Sequence, residues 1–98
     1  MLIYKIDVLK ELHDMGYTSK RMYEERTFGQ GDLQKMRYGI MVGTVVIDRL
    51  CELLGLQPGA ILEYIPADVY ERRKANDMLQ PFQVIREKGS DRKKRKYT

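Results

Sequence analysis

The chain has 98 residues, 43% of them hydrophobic and 33% charged, which suits one small domain and is too short for a multidomain enzyme. This balance is that of a soluble globular protein rather than a disordered or membrane one, and no apolar window approaches the ~18–20 residues that span a bilayer. Lys and Arg outnumber Asp and Glu by 18 to 14, but the excess is local: residues 86–98, REKGSDRKKRKYT, carry seven bases against two acids and leave residues 1–85 at −1.

That basic run reads either as a solvated, poorly ordered end or as a segment drawn to phosphates, each neutralised phosphate releasing a counterion. A single cysteine, Cys51, permits no internal disulfide and no cysteine cage for zinc. MLIYKIDVLKEL lacks a basic start, an apolar core and a small-residue cleavage site, so no secretory leader is expected. The expected setting is a reducing cytoplasm, with no membrane partner.

LIYKI, at the start, alternates with period two and fits either an extended strand or a lead-in. In KIDVLKELHDMG, Val8, Leu9, Leu12 and Met15 share one helical face, Asp7 lies in the first turn and Gly16 stands as the stop, which predicts a helix over about 6–15. After Tyr17, Thr18 or Ser19 caps a second helix running to about Arg26, with Met22 as its main apolar contact. A break at Thr27 to Gly29 precedes a third helix, with Leu33 and Met36 inward and Gly39 as the stop. GTVVIDRLCELLG predicts a fourth, with Ile47, Leu50, Cys51 and Leu54 at i, i+3, i+4 and i+7. QPGAILEYIP places Pro58 at a first helical position and Pro66 past an end, so a fifth helix of two turns fits between them.

The expected fold is therefore all-α, with five helices over residues 1–66 and a charged extension over 67–98. In that extension ADVYERRKANDML predicts a charged helix with Val69, Tyr70 and Leu79 as sparse apolar points, too thin a face for a second core. It reads as an appended helix, as an arm for dimerisation or a protein partner, or as disorder. QPFQVI, at 80–85, is apolar enough to pair as a strand or to pack into a groove.

Chemistry is sparse. His13 is the only histidine and has no ligating neighbours, Cys51 lies on an apolar face as a small buried hydrophobe, and Met15, Met22 and Met36 fall at core spacing. No Gly-rich phosphate loop, nucleophile elbow or His-Cys cluster occurs. Neither catalysis nor any metal or cofactor is expected.

Two short helices joined by a tight turn, the second polar on its outer face, make the helix-turn-helix arrangement that sets a recognition helix in the DNA major groove. From about Tyr4 to Pro66 the chain resembles the lambda-repressor-like, Cro-like or XRE-type DNA-binding domains. More narrowly, IDRLCELLGLQPGAILEYIP, from Ile47 to Pro66, is similar to the motif LDRLCxLLxCQPGDLLEYVP of small bacterial and phage regulators. The resemblance implies five helices with the third as recognition helix. It implies base contacts from Gln30, Gly31, Asp32, Gln34 and Lys35, and phosphate contacts from Thr18, Ser19 and Lys20 and from Arg37 and Tyr38. The chemistry of two of these agrees: Gln pairs with adenine N6 and N7, and Lys donates to guanine or to phosphate. Gly31 and Asp32 stand where relatives more often carry Ser or Pro followed by Thr, Ala or Ser. Thr27 stands for a common glycine and Tyr23 for a common alanine.

The first functional reading is a sequence-specific repressor that binds double-stranded DNA as a homodimer, with half-sites ~34–36 Å apart. The second is an antitoxin or adaptor-type interaction module of the same fold, with weak or no sequence-specific DNA binding, whose extension over 67–98 docks a protein partner. The third is a basic nucleic-acid-binding tail on an inert domain.

Overall fold

Capping side chains set where the first helices begin. In the computed structural model, which describes residues 1–86, the Asp7 carboxylate accepts the Lys10 N–H at 3.2 Å and opens α1 (Val8–Asp14). Thr18 Oγ1 accepts the Arg21 N–H at 3.2 Å and opens α2 (Ser19–Glu25). Each cap satisfies one backbone donor that the helix leaves without a partner. Next come α3 (Gln30–Arg37), α4 (Thr44–Leu54) and the single turn α5 (Pro58–Ile61); α6 (Ala67–Ala75) and a 3-10 turn over Pro81–Gln83 complete the helical elements.

Two strands make the fold other than all-α. β1 (Leu2–Tyr4) and β2 (Leu62–Tyr64) pair antiparallel, with Leu2 opposite Tyr64, Ile3 opposite Glu63 and Tyr4 opposite Leu62. Among the described residues there are thus six helices and a two-stranded sheet rather than five helices alone. The expected two-turn fifth helix stops after one turn because β1 offers Leu62–Tyr64 a ladder of backbone partners. Pro66 also disfavours the helical conformation for the residue before it.

β1 joins two clusters of buried side chains, since successive residues of a strand point to opposite faces. Tyr4 enters the main core with Val8, Leu12, Met22, Phe28, Leu33, Met36, Val42, Leu50 and Ile61. Ile3 meets Ile65 and Tyr70 in a second, smaller cluster flanked by Val69, Leu79 and Ile85. The thin face of α6 therefore does contribute to a second core, because the missing apolar surface comes from β1 and from the segments on either side of α6. Of the predicted stripes, Val8 and Leu12 are buried but Met15 is 51% exposed. On α4 only Leu50 is fully buried, with Ile47, Cys51 and Leu54 packed at the edge of the core.

The turn between α2 and α3 is held by an uncommon residue. Arg26 takes the left-handed conformation, φ 52°, while the Thr27 carbonyl accepts Arg49 Nη1 from α4 at 2.9 Å. A side chain in that conformation costs about 1–2 kcal/mol, and glycine relieves it at some expense in chain entropy. Arg26→Gly is expected to raise stability by roughly 0.5–1 kcal/mol, read by chemical denaturation; a loss of stability would contradict the account.

Tyr4 adds a pH dependence. Its hydroxyl, 1% exposed as a residue, donates to the Ile40 carbonyl at 2.8 Å. Burial, with a smaller contribution from the Asp32 charge, pushes its pKa up from 10.0 to about 12, against a lowering hydrogen bond from the Val42 backbone. The folded state then holds the phenolic proton more tightly than the unfolded chain. The stabilisation is complete below about pH 10 and is lost as pH rises towards 12, by about 3 kcal/mol in all. Tyr4→Phe, which leaves the Ile40 carbonyl unpaired, is expected to cost about 1–2 kcal/mol at pH 8. Denaturation profiles from pH 8 to 12 should converge and cross; parallel profiles would count against the buried phenol.

Candidate nucleic-acid interface

α3 carries two opposed faces. Leu33 and Met36 point into the core and are buried, so at about 100° per residue Gly31, Gln34, Lys35 and Tyr38 occupy the far side. Gln30 and Arg37 lie on one flank and Asp32 on the other. Gln30, Gly31 and Arg37 are exposed; Asp32, Gln34, Lys35 and Tyr38 are half-buried. A helix of eight residues is ~12 Å long, comparable with the ~12 Å width of the B-DNA major groove.

A groove of about 860 Å³ runs along one side of this helix and gathers several of the predicted residues. Ser19, Gln30, Gly31, Gln34 and Arg37 line it, together with α1 and with residues 81–86. Thr18, Lys20, Asp32, Lys35 and Tyr38 do not. Thr18 caps α2, leaving Ser19 and Lys20 exposed at the head of that helix. Asp32 sits in the first turn of α3, where the helix dipole favours an acid. Its carboxylate turns back towards Gly29, where an added Cβ would lie 3.7 Å from Oδ2.

The departures from the family pattern have local explanations. The left-handed residue of the turn is Arg26 rather than Thr27, so position 27 needs no glycine. Tyr23, in place of a small residue, is 67% exposed, and its bulk stays clear of the packing between α2 and α3.

Two arginines beside this surface escaped the sequence reading. Arg21 lies 4.4 Å over the Tyr17 ring and donates to Glu25 at 2.9 Å and to the Gly16 carbonyl. Arg86 closes over the end of α3: its N–H donates to the Tyr38 carbonyl at 2.8 Å, Nη2 donates to the Arg37 carbonyl at 2.6 Å, and the guanidinium lies 5.0 Å from the Tyr38 ring centre. In sequence Arg86 is simply the first base of the run 86–98, and no local signal links it to α3. The expected order and solvation of that run past Arg86 lie outside the described residues.

Among the described residues no group of three or more His, Cys, Asp or Glu is placed to hold a metal ion. No helix among them is long and apolar enough to cross a membrane. A family model described as the Cro/C1-type HTH DNA-binding domain matches residues 7–67. No curated protein and no solved structure matches the chain. The family match covers more than half of the chain, from the cap of α1 to the start of α6, and includes both helices of the helix-turn-helix pair. By this match, and by the polar outer face of α3, the protein belongs to the Cro/C1-type helix-turn-helix DNA-binding domain family and is a DNA-binding regulator.

Proposed function

We propose that this regulator is a sequence-specific repressor that lays α3 in the major groove of its operator and binds as a homodimer in the cytoplasm. The observation that carries this reading is the outer face of α3, where Gln34 and Lys35 stand away from the Leu33–Met36 core side and the exposed Gln30 lies on the adjoining flank. Gln30 and Gln34 offer amides for bidentate pairing with adenine, and Lys35 a donor for guanine. Gly31, having no side chain, admits close approach of the helix to the bases. We assign Asp32 to the helix start, since its carboxylate faces Gly29 and raises the Tyr4 pKa.

Around this strip, the exposed Ser19 and Lys20 and the helix-end pair Arg37 and Tyr38 serve the phosphates that fix register, with Thr18 holding the head of α2 in place. The homodimer is supported by the short reach of an eight-residue helix. One copy reads only a few base pairs, and a second copy on a half-site ~34–36 Å away multiplies affinity through effective concentration. The groove between α4 and α5, where Ile47, Cys51, Leu56 and Pro58 lie beside Asp48 and Glu52, offers surface for that second copy.

The test is enrichment of a random duplex library by the purified protein at about 150 mM salt, where non-specific binding is already weak. A palindromic motif is expected. Gln30→Ala is expected to relax preference at one position per half-site by about 1–3 kcal/mol, roughly 10- to 100-fold. Binding that fades with salt and enriches no motif would overturn the reading.

A further inference from the structure

We propose that Arg86, which lies outside the family-matched residues 7–67, is a phosphate-contacting residue held in advance at the exit of α3. The proposal deepens the DNA-reading role of α3 given above and rests on it. Arg86 is exposed and lines the same groove as Ser19, Gln30, Gln34 and Arg37. It stands there because the chain before it is tied down. Phe82 packs on the main core, and Gln83 Nε2 donates to the Tyr4 carbonyl at 3.0 Å. The Val84 carbonyl fits against Gly39, so close that an added Cβ would be 2.7 Å from it.

The charged lining of this groove is Lys10, Arg37 and Arg86 against Asp7 alone, on a body that over residues 1–86 is neutral. Asp7 is occupied in capping α1, and Lys10 is paired with Asp14 at 3.1 Å. Arg37 and Arg86 have no ion pair among the described residues, so they supply the attraction for an anion. At the edge of a helix laid in the major groove the nearest anions are backbone phosphates, whose contacts fix register and orientation. The Arg86 guanidinium is already placed for one: Nη2 donates to the Arg37 carbonyl at 2.6 Å, and the group lies 5.0 Å from the Tyr38 ring centre. That bond spends one of the five N–H donors of an arginine and leaves the others for phosphate oxygens. A side chain whose rotamer is set beforehand loses less entropy on binding. Capping of α3 alone would need no charge, since the backbone N–H of residue 86 bonds the Tyr38 carbonyl whatever side chain it carries.

Four full-length proteins test this on a duplex carrying the enriched motif and on an unrelated duplex, from about 50 to 300 mM salt. They are the wild type, Arg86→Gln, Arg86→Lys and Lys74→Gln. Lys74 is exposed on α6 and outside the groove, so its replacement controls for loss of charge as such. Arg86→Gln should select the wild-type motif while its slope of log K against log salt flattens by about 0.9, the value for one lost phosphate contact. Arg86→Lys, which keeps the charge, should restore the slope, and Lys74→Gln should leave it unchanged. An unchanged slope in Arg86→Gln, or an equal flattening in Lys74→Gln, would overturn the proposal. So would a changed motif at an unchanged slope, which would make Arg86 a support for α3 only. A wild type that selects no motif, with the slope still flattened by Arg86→Gln, would remove base reading by α3 and leave the Arg86 contact standing.

Discussion

Tyr4 reaches from the short strand β1 through the main core to the Ile40 carbonyl, just beyond the end of α3. Much of the molecule is arranged around that residue. Its side chain joins the helices to the strand, its neighbour Ile3 opens the second cluster on the opposite face, and its backbone pairs with Leu62 across the ladder. Its carbonyl then accepts the Gln83 amide from the 3-10 turn. A buried phenol whose hydroxyl is bonded keeps a polar atom in the core without an unsatisfied donor. The hydrogen bond has the further effect of fixing the exit of α3 against a strand rather than against a mobile side chain.

Positioning of α3 follows from a few such restraints. At its entry, the turn depends on Arg26 in a conformation that few side chains adopt, on Phe28 buried behind it and on the bond from Arg49 to Thr27. At its exit, Gly39 has φ 73° and admits the Val84 carbonyl, while Arg86 satisfies carbonyls that the helix leaves free. The orientation of α3 is thereby set by the fold itself. Here both ends are tied to elements distant in sequence, and the polar side chains between them are presented on a supported surface.

Charge is divided unevenly along the chain. Over residues 1–86 the charges cancel, twelve acids against twelve Lys and Arg. The net charge of +4 is carried by residues 87–98.

Local chemistry alone determined much of the helical body: an acid at the start of the first helix, a Thr18 or Ser19 cap for the second, the pair Leu33 and Met36 against Gln30 and Gln34, and the helix within GTVVIDRLCELLG were legible, as was the resemblance that the family match over residues 7–67 supports. Asp7, read as a first-turn acid, is the cap itself. These features are written within one or two helical turns, where side-chain spacing and backbone capping act directly. What only the tertiary structure decided involves partners far apart in the chain. LIYKI became a strand, and the fifth helix shortened to one turn, because residues about sixty positions apart supply each other's hydrogen bonds. The second core assembled from β1, Ile65 and Tyr70, none of which forms a stripe by itself. Arg86 belongs to α3 through bonds spanning 49 positions. Spacing along a sequence records periodicity, whereas these pairings are selected by which surfaces and backbone groups remain unpartnered once the helices have packed.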